Sequence, residues 1–167
     1  MKQQDRAEGI RKLAEMMKDI KVAMLTTVEP DGTLRSRPMM VQDVEFDGDL
    51  WFFTAAGSAK VQETRRSDEV NVSFASFDKQ RYVSVSGRAS LVRDRSKIEE
   101  LWNPLFKAWF PDGLDDPDLA LLKVNVDQAE YWDSPSGKMV ALAGFVKALA
   151  TGERIEGGDN QKLDLGK

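Results

Sequence analysis

Apolar residues recur at Ile10, Leu13, Met16 and Met17, the spacing of one helix face, behind Asp5 and Glu8 in the arrangement of a capping box. The pattern predicts a helix over residues 5–19. The period changes after Lys21, where Val22–Val28 is rich in β-formers and Glu29-Pro30-Asp31-Gly32 has the composition of a turn. A second strand from Thr33 to about Val41 completes a hairpin. Asp47-Gly48-Asp49 predicts another hairpin, joining Val44–Phe46 to Leu50–Thr54, and a short helix follows from Ser58 to Arg66. Val70–Ala75 and the long alternating run Tyr82–Val92 read as strands. Ser96 with Glu99 reads as a second capping box, opening a helix that Pro104 interrupts. The aromatic loop Trp109–Gly113 leads to a short helical or turn segment at Asp115-Asp116-Pro117, a last strand over Leu121–Trp132 and a helix over Lys138–Leu149. These elements predict a mainly β chain with peripheral helices, built on six antiparallel strands in a closed or partly closed barrel. One domain is expected over residues 1–150, with a polar, frayed tail over residues 151–167. Neither a βαβ rhythm nor a Gly-rich dinucleotide or Walker fingerprint occurs.

Composition narrows the chemistry. The 167 residues contain no cysteine and no histidine. Disulfides, thiol nucleophiles, Ser–His and Cys–His arrangements and the commonest zinc ligands are thereby removed. A net charge of −4 argues against a general nucleic-acid binder. The polar start MKQQDRAEGIRKL and the lack of a long apolar run fit neither a signal peptide nor a membrane span, so a cytoplasmic protein is expected.

The segment from Trp51 to Arg66 carries the strongest candidate chemistry. An apolar strand ends at Thr54, passes through small residues and enters a helix at Ser58, with Lys60 in its first turn. Helix starts present unpaired N–H groups and the positive end of the dipole, which favours an anion. Arg65 or Arg66 is a candidate second cation. The alternative is a plain N-cap at Ser58 with a solvated Lys60. The preceding strand adds Arg35 and Arg37 on one face and Pro38, a residue suited to a sheet edge. The two arginines also fit solvent-facing charges that guard such an edge.

The order and spacing of "RSRPM" and "WFFTAAGSAKVQETRR", with "NPLFKAWFPDGLDDPDLALLKVNVDQAEYWD" after them, resemble the FMN-binding split-barrel superfamily of pyridoxamine 5'-phosphate oxidase, and within it the general stress protein 26 branch. The resemblance covers about residues 21–149. It implies a six-stranded antiparallel split β-barrel, with FMN (or FAD) bound in clefts at a homodimer interface. Carried onto this chain, it implies Arg37 at the ribityl–phosphate portion, Pro38 and Met39 along the isoalloxazine, and Thr54, Ser58 and Lys60 at the phosphate. The family's arginine between the serine and the lysine is Ala59 here. Its substrate-binding lysine is Gln42, its flavin-contacting glutamine corresponds to Tyr82, and its C-terminal Arg-x-His element is missing. Genuine pyridoxamine phosphate oxidase activity is therefore not expected. Trp109 is a candidate for covering the flavin ring, with Phe110 beside it and Trp132 as a second possibility. The expected function is flavin binding with low-specificity redox chemistry, NAD(P)H or a small redox compound serving as partner. A non-enzymatic flavin store or sensor and a cofactor-free structural barrel are the alternatives.

Overall fold

The computed structural model describes residues 3–134, 138–154 and 158–166. Helix α1 (Gln3–Met17) leads into the hairpin of β1 (Val22–Val28) and β2 (Leu34–Met40). Gly32, at φ +86°, takes the left-handed position of the connecting turn, and its N–H donates to the Glu29 carbonyl at 2.9 Å. Next come β3 (Asp49–Ala55), α2 (Ala59–Arg66), β4 (Glu69–Ser76), β5 (Arg81–Val92) and α3 (Arg95–Leu101). Two short 3-10 segments, Pro104–Ala108 and Gly113–Asp115, precede the longest strand, β6 (Leu119–Asp133). Helix α4 (Lys138–Thr151) and β7 (Asp159–Asp164) follow. No helix among the described residues is long and apolar enough to cross a membrane.

All strand pairs are antiparallel, in the order β2-β1-β4-β5-β6-β3, and β7 adds to β6. The six-stranded path is mainly β and curls into a split barrel. Strand β6 serves β5 along one edge and divides the other: Leu119–Asn125 pairs with β3, and Gln128–Asp133 pairs with β7. A bulge at the change of register passes over Asp127, opposite Ser86 and Gly87. Glycine is required there because a Cβ on Gly87 would lie 2.1 Å from the Asn125 carbonyl oxygen. The freed Asp127 carbonyl accepts from Leu165 N at 2.6 Å.

Alternation along the strands turns Leu25, Phe52, Val72, Phe74, Val85 and Val124 into the barrel, where Leu13 and Met16 of α1 close one end. Each such side chain contributes about 1.5–3 kcal/mol on burial. A smaller cluster on the outer side of β3 and β6 packs Phe53 and Leu121 against Ile98, Leu101 and Phe106. Phe53 meets Trp102 edge-on at 5.5 Å between ring centroids, anchoring the 3-10 segments beside β3.

Four expectations need correction. Val44–Phe46 is not a strand: Phe46 turns into the core, and β3 takes β6 as its partner. Gly48 still provides a turn, at φ +116°, but not a hairpin. Helix α1 begins at Gln3, so Asp5 lies in its first turn and is no cap. Helix α3 is capped by Asp94, whose carboxylate accepts from Ser96 N at 3.0 Å, in place of the Ser96–Glu99 box. The polar tail contains β7, and beyond it Leu165 is 1% exposed against Gly9 of α1.

Candidate functional site

Strands β2 and β3 end the six-stranded path and face each other across the split, with no ladder between them among the described residues. Pro38, which has no N–H to offer a ladder, lies on the exposed side of β2 opposite Met24. A cleft of about 180 Å³ occupies the split. Five residues singled out in the sequence line it together: Pro38, Met39, Thr54, Lys60 and Trp109. Phe53, Phe106 and Phe110 supply an aromatic wall, and Gln42 completes the lining toward the barrel interior.

The polar end of the cleft is built where β3 passes into α2. Ser58 holds the extended backbone of an N-cap, but its hydroxyl makes no capping bond. It lies 3.2 Å from the Thr54 hydroxyl and accepts from Lys60 Nζ at 3.4 Å. Inside the helix, Ala59 and Lys60 have no carbonyl one turn earlier to receive their N–H groups. Two hydroxyls, an ammonium and a helix start therefore converge. Partial burial, followed by repulsion from Arg37, holds the Lys60 ammonium below its ordinary pKa, while Glu63 acts in the opposite sense. A bound anion would relieve both penalties.

Arg37 is held by two neighbouring side chains. Its Nη1 donates to Thr27 Oγ1 at 2.6 Å and its Nη2 to Glu63 Oε2 at 2.9 Å. The same carboxylate oxygen accepts from the Thr27 hydroxyl. The guanidinium side chain is 19% exposed and Glu63 8%, so the pair is largely shielded from water. This triad braces β1, β2 and α2 against one another directly behind Lys60. Arg35 points elsewhere, to Glu29 in the turn. Arg65 and Arg66 are exposed in the last turn of α2, away from the helix start. The second positive charge in the field of Lys60 is Arg37.

Tyr82 is not brought into the cleft of its own chain. It projects on the outer face of β5, with Ala75 and Trp132 as its ladder neighbours. Trp109 is 59% exposed beside the cleft. Sequence reasoning missed Glu63 and Thr27 as parts of the site. Glu63 sits among polar residues on a short helix and looks solvated, whereas Thr27 continues the inward alternation of Ala23 and Leu25 and was readable from it. It also missed Asp118, whose carboxylate accepts from Gly57 N at 3.2 Å and fixes the loop before Ser58. Among the described residues no group of three or more acidic side chains is placed to hold a metal ion.

The sequence model of the pyridoxamine 5'-phosphate oxidase-like family matches residues 8–156. The chain belongs to this family. Among its relatives is protein bli-3 of Neurospora crassa, 32% identical over 156 residues that cover 87% of this chain and 75% of the relative. Family membership extends to the fold: a general stress protein 26-type structure from Jannaschia sp. CCS1 superposes with a TM-score of 0.76 over 95% of this chain and 99% of its own, at 24% identity. A general stress FMN/FAD binding protein from Xanthomonas citri is 30% identical, with a TM-score of 0.66 over 78% of this chain and 92% of its own. A protein described as FMN/FAD binding thus shares this fold, and in this chain the cleft lies at the split between β2 and β3.

Proposed function

We propose that this protein binds FMN, or alternatively FAD, in the cleft between β2 and β3. The observation that carries the proposal is the half-buried Lys60 ammonium, grouped with the Thr54 and Ser58 hydroxyls at a helix start and opening onto an apolar cleft. Phosphate at that end and a flat ring against Pro38, Met39 and Trp109 match the two halves of the cleft. Arg37, paired with Glu63, stands behind this grouping. Bound flavin would supply reversible electron and hydride transfer, while the residues present bind it, orient it and exclude water.

A cleft of about 180 Å³ is smaller than the 300–1,000 Å³ usual for a ligand site. A second copy of the chain would provide the missing cover. Val22 and Met24 are exposed on the outer face of β1, Met24 beside Pro38, and Ser73 and Ser84 continue that face as small side chains suited to close approach. In such a homodimer Tyr82 would reach the flavin only from the second copy. Gln42 in place of a lysine, and the lack of any histidine, argue against pyridoxamine phosphate as substrate. We assign instead a cytoplasmic, low-specificity redox role with NAD(P)H or a small redox compound.

Titration of flavin-free protein with FMN and with riboflavin tests this reading. Charge-assisted contacts of about 1.5–3 kcal/mol predict roughly ten- to hundredfold tighter binding of FMN. Equal affinities, or no binding of either, would refute it. Light scattering with FMN present should give the mass of a dimer. Anaerobic mixing of the loaded protein with NADPH then separates catalysis, in which the flavin bleaches, from storage, in which it does not.

A further inference from the structure

A second cavity, of about 550 Å³, lies between the C-terminal end of α1, the 41–46 segment and β3. Its volume is in the usual range for a small-molecule site. The wall contains Met17, Phe46, Leu50, Phe52 and Phe74, all buried core side chains. It also contains Gln42, which is 8% exposed and carries a fully buried amide nitrogen, Nε2, with no hydrogen-bond acceptor. A buried donor left in this state is destabilising, and native structures seldom leave one uncompensated. Around the opening, Lys18 and Lys21 stand among Glu15, Asp19, Asp43 and Glu45, and Asp19 is already engaged by Lys79. The rim is therefore more acidic than basic, which disfavours an anion. Apolar walls with an unanswered amide NH2 group select a neutral body carrying an acceptor.

We propose that this cavity is a second binding site, for an uncharged aromatic compound whose carbonyl oxygen accepts from Gln42 Nε2. Gln42 also lines the flavin cleft, so it forms part of the partition between the two sites. The cavity does not depend on the identity of the cleft's ligand. A molecule bound in it would lie near the cleft without occupying the phosphate cradle.

The test uses coumarin, a neutral bicyclic lactone, and naphthalene, which keeps the two rings and lacks the acceptor. Ligand-detected NMR titrations on the full chain should show both binding, coumarin more tightly. Gln42→Leu should weaken coumarin by about five- to tenfold and leave naphthalene unchanged, as expected for one hydrogen bond. Ala14→Trp, which fills the cavity from the surface of α1, should abolish both while the circular dichroism melt stays cooperative. Saturating FMN should leave coumarin bound. The proposal is overturned if neither probe binds the native protein, if Ala14→Trp binds both as the native protein does, if Gln42→Leu affects the two probes equally, or if FMN displaces coumarin. Displacement by FMN would assign the free amide to the cleft.

Discussion

Replacing Glu63 by glutamine should move stability and ligand affinity in opposite directions. The carboxylate neutralises Arg37 at 2.9 Å and accepts from Thr27, with little exposure to water. Glutamine keeps the shape but leaves the guanidinium without its counter-charge. Breaking a buried ion pair costs about 3–5 kcal/mol, and the residual exposure of Arg37 places this case near the lower end, about 3 kcal/mol. For a chain of this size that corresponds to a fall of about 6–12 °C in Tm. The same change removes a negative charge one helical turn from Lys60. At the effective dielectric constants of protein surfaces, removing one unit charge from the neighbourhood of a phosphate held by Lys60 is worth on the order of 1–2 kcal/mol. FMN should therefore bind Glu63→Gln about tenfold more tightly, with riboflavin unaffected. Calorimetric melts of the flavin-free protein and fluorescence titrations with both flavins provide the two measurements. If FMN affinity falls together with Tm, the triad supports the cleft only mechanically, and the electrostatic assignment of Lys60 and Arg37 is wrong.

Lys60→Met should stabilise the flavin-free protein at neutral pH while weakening FMN binding. The folded-state pKa of Lys60 lies below the ordinary 10.5, so the unfolded chain binds more protons between the two values and native stability rises with pH through that window. The difference between Lys60→Met and the native protein should therefore shrink toward pH 10.5 in urea melts. Tyr131 behaves with the opposite sign. Burial, then a hydrogen bond to Asp159 at 2.8 Å, pushes its pKa up to about 12. Stability associated with the neutral phenol is complete below pH 10 and is lost as the pH rises toward 12, and Tyr131→Phe should lack that decline while losing the tie to β7. Leu165→Ala should cost about 2–5 kcal/mol, seen as a lower urea midpoint, because a fully buried side chain is truncated.

The barrel was legible because its strands alternate strongly. Val22–Val28 and Tyr82–Val92 are readable residue by residue, and the turn at Asp31-Gly32 fixes the first hairpin. Strand β7 was not legible: Asp159–Asp164 is polar and exposed at all but one position, and its place is set by the free edge of β6. The missing hairpin at Gly48 failed for a related reason, since Val44–Phe46 has strand-like residues but β3 finds a much longer partner in β6. At the site, the Thr54–Ser58–Lys60 grouping followed from the strand-to-helix junction. Glu63 escaped because its burial is imposed by Arg37 from another strand, a long-range fact with no local signature. Gln42 was visible only as a departure from the family pattern; its unanswered amide is a property of packing.

Among the described residues, the split leaves one edge of β2 and one edge of β3 without a ladder. Amides on those edges should exchange with deuterated solvent far faster than those facing β1 and β6. A molecule filling the cleft stands where a sixth pairing, of β2 with β3, would close the six-stranded path into a continuous barrel. Closure and ligand binding are then a single free-energy change, so slowing of exchange across β2 and β3 would report occupancy residue by residue, without a spectroscopic signal from the ligand.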